Sequence, residues 1–210
     1  MTPALELLAA WRVVPVLTIE DARLAPRIAV ALRDGGIPCA EITLRTPAGL
    51  AAIRLASEVD GFAVAAGTVR SPDDLDAAVE AGARLIVSPG LDEDVVERAV
   101  SVGIPIVPGV ATATELQHAV RRGLTAVKVF PVAQLGGPAF LAALAAPFPE
   151  VAFLPSGGVT IDDAAEYAAL TCVPAVSGSW MVPAAAVRDG DVDTIRRRAH
   201  ETIRLLEVIS

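Results

Sequence analysis

Phe62-Ala63-Val64-Ala65-Ala66-Gly67-Thr68, then Ser71-Pro72-Asp73-Asp74-Leu75, then Ala81-Gly82-Ala83, then Leu85-Ile86-Val87-Ser88: this stretch decides the fold, because it reads as one strand–helix–strand unit. The two outer runs are short and aliphatic, as strands buried on both faces are. Between them Ser71 offers an N-cap and Pro72 a first helical position. Asp73 and Asp74 add the negative charge that a helix N-terminus favours. Gly82 then stops the helix just before the next strand.

The same signals recur on both sides. Candidate strands are Val13–Ile19, Ala40–Arg45, Phe62–Thr68, Leu85–Ser88, Ile104–Pro108, Ala126–Phe130, Val151–Pro155 and Ala175–Ser177. Their starts recur at roughly 19–27 residues, as expected of a βα unit. Val102-Gly103-Ile104 and Arg122-Gly123-Leu124 repeat the glycine stop, and Thr112 or Thr114 ahead of Glu115 starts the helix after the fifth strand. A run of eight β-then-α units predicts one domain over residues 1–210, a single (β/α)₈ TIM barrel rather than a doubly wound open sheet. Ligands of such a barrel bind at the C-terminal ends of its strands.

Of the 210 residues, 53% are hydrophobic and only 4% aromatic, so the core is aliphatic. That apolar excess predicts a homo-oligomer with a face packed on another copy. A net charge of −8 argues against a nucleic-acid partner. It leaves room for a phosphorylated substrate, since backbone N–H groups alone can hold one phosphate. The two cysteines, Cys39 and Cys172, form no disulfide framework or zinc spacing and are expected as buried or half-buried thiols. Glu6 and Arg12 interrupt the first apolar stretch, which also lacks a basic start, so no signal peptide is expected. No apolar run reaches membrane-spanning length, and a cytoplasmic location is expected.

Lys128 is the only lysine in the chain. In Ala126-Val127-Lys128-Val129-Phe130-Pro131, strand alternation places Ala126, Lys128 and Phe130 on one face and the two valines on the other. The valines suit the helical layer, so Lys128 is expected inside the barrel. An apolar enclosure favours the neutral amine over the ammonium, and a neutral amine is the form that attacks a ketone to make a Schiff base. The alternative is a structural lysine that snorkels or pairs with a carboxylate.

Strand two carries Glu41, Thr43 and Arg45 on one face and Ile42 and Leu44 on the other. The apolar face meets the helices, so the polar face turns inward. A buried Glu41–Arg45 ion pair is one explanation. The other assigns Glu41 to proton transfer and Arg45 to a substrate carboxylate, which its fork geometry matches. Small, donor-rich residues follow several strands: Gly67-Thr68, Ser88-Pro89-Gly90, Pro108-Gly109, Ser156-Gly157-Gly158 and Ser177-Gly178-Ser179. The last two lie after strands seven and eight, where TIM barrels commonly hold phosphate.

Taken together, Glu-Ile-Thr-Leu-Arg-Thr (41–46), Ala-Gly-Thr-Val (66–69), Ser-Pro-Gly (88–90), Pro-Gly-Val-Ala-Thr (108–112), Lys-Val-Phe-Pro (128–131), Pro-Ser-Gly-Gly-Val (155–159) and Gly-Ser-Trp (178–180) resemble a known family over nearly the full length. It is the 2-keto-3-deoxy-6-phosphogluconate / 4-hydroxy-2-oxoglutarate aldolase family, whose members are class I, Schiff-base aldolases. The resemblance implies that Lys128 is the nucleophile and Glu41 the general acid/base. It implies that Arg45 and Thr68 hold the pyruvate-derived carboxylate and that Pro89 and Phe130 border the substrate. Ser156, Gly157, Gly158, Gly178 and Ser179 would line the hydroxyl and phosphate end. It further implies a homotrimer acting on a small 2-keto acid, with no metal and no cofactor. Three departures bear on the aldehyde end: Ser156 stands where the family often has threonine, Ser177 replaces a glycine, and Val-Ala-Gln follows Pro131 in place of Ala-Glu.

Other readings differ in what they require. A metal-dependent aldolase needs a ligand cage, and the only histidines, His118 and His200, fall in helix-like segments. A phosphate-binding barrel transferase or isomerase of the thiamine-phosphate-synthase type explains the glycine loops but leaves Lys128 idle. A non-catalytic binding barrel would show no turnover. An aldolase for the phosphogalactonate epimer fits the same residues.

Overall fold

The computed structural model describes residues 2–207; residue 1 and residues 208–210 of the expected domain lie outside the described residues. The chain runs α1 (Pro3–Trp11), β1 (Val13–Leu17), a 3₁₀ turn (Ala22–Leu24), α2 (Ala25–Asp34), β2 (Cys39–Thr43), α3 (Gly49–Ser57), β3 (Ala63–Gly67), α4 (Pro72–Glu80) and β4 (Leu85–Val87). It continues through α5 (Glu93–Val102), β5 (Ile106–Val107), β6 (Gly109–Val110), α6 (Ala113–Arg121), β7 (Ala126–Val129), α7 (Val132–Leu135) and α8 (Gly137–Ala145). It closes with β8 (Ala152–Pro155), α9 (Ile161–Ala168), β9 (Val176–Gly178), α10 (Ala184–Asp189) and α11 (Val192–Glu207).

Local chemistry sets the helix boundaries. The Ser71 hydroxyl accepts the Asp74 N–H at 3.1 Å, and the Asp74 carboxylate accepts the Arg70 N–H at 3.0 Å. The first bond satisfies a donor at the start of α4 that lacks a helical partner, and the second ties the residue before the cap to the same turn. Of the two candidate caps for α6, Thr112 is the one used: it accepts the Glu115 N–H at 3.2 Å while Glu115 accepts the Thr112 N–H at 2.9 Å. Gly82, Gly103 and Gly123 each follow their helix with φ values of 98°, 73° and 75°.

Every strand ladder is parallel. The strands form a curled α/β sheet in two hydrogen-bonded pieces, ordered β5-β4-β3-β2-β1-β9 and β6-β7-β8. The expected single ring of eight is thus divided. The fifth expected strand, Ile104–Pro108, is shorter and breaks at its proline: β5 pairs with β4, while Gly109 and Val110 pair with β7. Pro108 has no N–H to donate, so it cannot continue a ladder on both sides, although its carbonyl accepts the Lys128 N–H at 2.8 Å. At the other junction the Phe153 N–H of β8 reaches the Cys172 carbonyl at 2.8 Å, ahead of β9, in place of a β8–β9 ladder.

Helix α1 sits at the N-terminal end of the strands, where the Thr2 and Thr125 hydroxyls meet at 2.6 Å just ahead of β7. Strands β4, β7 and β8 are buried at every position, as a parallel sheet covered by helices requires. The buried residues are otherwise hydrophobic and mostly aliphatic, and the polar exceptions are informative: Glu41, Thr43, Ser88, Lys128, Ser156, Ser177 and Thr202. All but Thr202 lie on a strand or at its C-terminal end.

Candidate active site

Lys128 occupies the third position of β7, in register with Gly109 on one side and Leu154 on the other. Val127 and Val129 face the other way and are fully buried. The lysine is only 4% exposed, and its Nζ lies 3.1 and 3.3 Å from the two carboxylate oxygens of Glu41, itself 0% exposed. A buried ion pair of this kind must recover a large desolvation cost from close geometry and further polar contacts. The pairing decides against one reading of Glu41 and matches the structural alternative for Lys128, a lysine paired with a carboxylate. The partner of Glu41 is Lys128, and the expected alternative, a Glu41–Arg45 pair, does not form; Arg45 instead donates from Nε to the Thr68 hydroxyl at 3.3 Å.

Room for the carboxylate comes from β3. Thr43 and Gly67 are register partners, and a Cβ built on Gly67 would lie 2.6 Å from Glu41 Cγ and 2.8 Å from its Cδ. No side chain fits there. Beside the amine, the Phe130 ring centroid is 5.5 Å from Nζ, a distance at which the ring face attracts a cation. Phe130 is backed by Gly157, whose φ is 86° and whose missing Cβ would meet the ring at 2.8 Å. Thr68 holds a φ of 62°, a conformation that costs a branched residue energy and that places its hydroxyl by Arg45.

Lys128 lines a cavity of about 460 Å³ at the C-terminal ends of the strands, with Arg45, Phe130, Ser156, Gly157, Gly158, Gly178 and Ser179. Glu41 and Thr68 join this set through their bonds to Lys128 and Arg45. Pro89 stands apart: it is exposed, and its carbonyl group packs against Gly109 rather than lining the cavity. Two hydroxyl contacts were not read from sequence. Thr18, at the end of β1, lines the cavity and bonds the Thr43 hydroxyl at 3.0 Å; Thr43 in turn donates to the Leu17 carbonyl at 3.0 Å. Ser177 donates to Ser156 at 2.9 Å, with both side chains buried.

The wall after β8 and β9 is fixed from outside. The Ser156 and Gly157 carbonyls accept the Val132 and Ala133 N–H groups at 2.8 and 3.1 Å, tying this loop to α7. The Trp180 indole packs on Gly178 and donates to Thr202 of α11 at 2.9 Å. Among the described residues no group of three or more His, Cys, Asp and Glu is placed to hold a metal ion. Both His118 and His200 lie exposed on helices. Cys39 is buried, donates to the Val13 carbonyl at 3.3 Å, and has its thiol pushed well up by burial; Cys172 is half-buried. No helix among the described residues is long and apolar enough to cross a membrane.

The family model described as "KDPG and KHG aldolase" matches residues 5–198. The chain belongs to this family. It is similar to the 2-dehydro-3-deoxy-phosphogluconate aldolase of Treponema pallidum, 40% identical with all of both chains covered. It is likewise similar to the KHG/KDPG aldolase of Escherichia coli K12, 40% identical over 96% of this chain and 95% of the relative. Among solved structures, the Zymomonas mobilis ZM4 family member with 3-phosphoglycerate superposes with a TM-score of 0.91 at 39% identity, covering 96% of each chain. The Legionella pneumophila member, with pyruvate captured at low pH as a covalent carbinolamine, gives a TM-score of 0.91 at 35% identity, covering 96% of this chain and 98% of that one. The relatives are aldolases, and aldolases are carbon–carbon lyases. In this chain the buried Lys128–Glu41 pair lies beside the cavity at the C-terminal ends of the strands.

Proposed function

We propose that the chain is a lysine-dependent class I aldolase that cleaves 2-keto-3-deoxy-6-phosphogluconate to pyruvate and glyceraldehyde 3-phosphate. 4-Hydroxy-2-oxoglutarate, cleaved to pyruvate and glyoxylate, is a second substrate of the same site. The observation that carries this reading is a single buried amine, in contact with a buried carboxylate, that opens onto a cavity.

In this mechanism a proton passes from Nζ to Glu41, and the neutral amine attacks the C2 ketone. Loss of water from the carbinolamine forms a protonated imine. Glu41, again a carboxylate, takes the C4 hydroxyl proton, directly or through a water. The C3–C4 electron pair flows into the imine, the aldehyde leaves, and an enamine remains. Protonation at C3 and hydrolysis release pyruvate and restore the amine. Arg45 and Thr68 hold the carboxylate, Phe130 borders the keto acid, and Ser156 meets the hydroxyl end. Gly157, Gly158, Gly178 and Ser179 surround the phosphate, which backbone N–H groups ahead of α9 favour. The scheme needs no metal or cofactor.

The same reading takes the two sheet pieces as one (β/α)₈ barrel closed around the Lys128–Glu41 pair, in a cytoplasmic homotrimer of single-domain subunits. The capture of pyruvate on a 35%-identical structure supports the covalent step, and the 3-phosphoglycerate of another supports a phosphorylated substrate. A transferase of the thiamine-phosphate-synthase type would leave the buried pair without a role. Pyruvate release, coupled to a dehydrogenase, tests the assignment on the phosphogluconate substrate, its galactonate epimer and 4-hydroxy-2-oxoglutarate side by side. Preference for the first is expected; release from none of the three overturns it.

A further inference from the structure

Two serines that lie 21 residues apart meet where β8 and β9 end, and only one of them faces the cavity. Ser156 lines it; Ser177 is 0% exposed and stands behind. Their hydroxyl oxygens are 2.9 Å apart, and the geometry gives the bond a direction: Ser177 donates and Ser156 accepts. A hydroxyl has one hydrogen to give. Because Ser156 receives Ser177's hydrogen, its own hydrogen is free to point elsewhere, and the open side of Ser156 is the cavity.

We infer that Ser177 is a positioning residue that holds Ser156 as a fixed hydrogen-bond donor toward the aldehyde half of the substrate, and so sets specificity at that end. The proposal rests on the aldolase reading above. Serine alone does not hold one rotamer firmly, having no branch at Cβ. The 2.9 Å bond supplies the restraint, and accepting one hydrogen bond strengthens the next that the same hydroxyl donates. The layout separates the two halves of the substrate. Arg45 and Thr68 follow β2 and β3, whereas Ser156 follows β8 and Ser177 lies in β9. A change at Ser177 therefore acts on the aldehyde half and spares the keto-acid half. The donor suits an acceptor oxygen, the nascent aldehyde or a hydroxyl next to it.

The test runs the reaction in the condensation direction with pyruvate and glyceraldehyde 3-phosphate, on wild type, Ser177→Ala, Ser156→Ala and the double variant. Ser177→Ala removes one oxygen and no carbon, and thermal unfolding checks that it folds. The expected result is a KM for the aldehyde raised about tenfold, a KM for pyruvate within twofold of wild type, and unchanged borohydride trapping of pyruvate. The double variant is expected to be no worse than Ser156→Ala alone, because Ser177 acts only through Ser156. Equal effects on both KM values, additive losses in the double variant, or no effect of Ser177→Ala overturns the proposal. A wild-type chain that traps no pyruvate overturns the aldolase reading, and this inference with it.

Discussion

Gly67 on β3 leaves the space that the Glu41 carboxylate of β2 fills: a Cβ there would stand 2.6 Å from Glu41 Cγ. The acid that contacts Lys128 is thus placed by the absence of a side chain on the neighbouring strand. Gly67→Ala is expected to push Glu41 away from Nζ. Overpacking of this kind costs about 1–3 kcal/mol, readable by urea unfolding. Pyruvate release should fall on the order of 100-fold, since small displacements of a catalytic group cost about that much.

Glu41→Gln keeps the shape of the side chain and removes its basicity. The loss of general acid/base catalysis predicts a fall in kcat of roughly 10²–10⁴. Lys128 would then lack a charged partner in a buried site, and a loss of about 3 kcal/mol in unfolding free energy is expected while the lysine is protonated. A variant with wild-type kcat would remove Glu41 from the mechanism.

Tyr167 is the chain's single tyrosine, fully buried, and its hydroxyl has no hydrogen-bond partner among the described residues. Burial first, then the nearby charges of Asp163 and Glu166, push it from 10.0 up to about 12. A near-ultraviolet titration reads this residue alone, and its ionisation is expected near pH 12 in the folded protein. Since the folded value lies above the unfolded one, the group's contribution to stability is complete below pH 10 and is lost as pH rises toward 12. Tyr167→Phe discards an unpaired hydroxyl and should leave stability unchanged or slightly raised. A titration at the ordinary tyrosine value would show the ring to be solvated.

Ser71→Ala removes the acceptor for the Asp74 N–H at the start of α4. A stability loss of about 1 kcal/mol is expected. Kinetic constants should not move, because α4 contributes nothing to the cavity lining.

How far these features could be read from sequence follows from the range of the forces behind them. Strand alternation is local, so the inward direction of Lys128 and Glu41 was legible, and so were the caps at Ser71 and Thr112. The partner of Glu41 was not. Alternation put Glu41 and Arg45 on one strand face, but β2 ends at Thr43 and Arg45 lies in the turn beyond it. The true partner comes from β7, far along the chain. The Ser177–Ser156 bond and the Thr18–Thr43 contact likewise join separate strands, and no local pattern encodes which hydroxyls meet. The break in the fifth strand did have a signal, Pro108, because a proline inside a run argues against a continuous central strand.

The central claim is that Lys128 forms a covalent imine with pyruvate. Borohydride reduction of the protein with pyruvate, followed by peptide mass mapping, tests it most directly. The account predicts one reduced pyruvate adduct, located on Lys128 and absent from Lys128→Ala. Protein left unlabelled, or label that persists in the alanine variant, would contradict it.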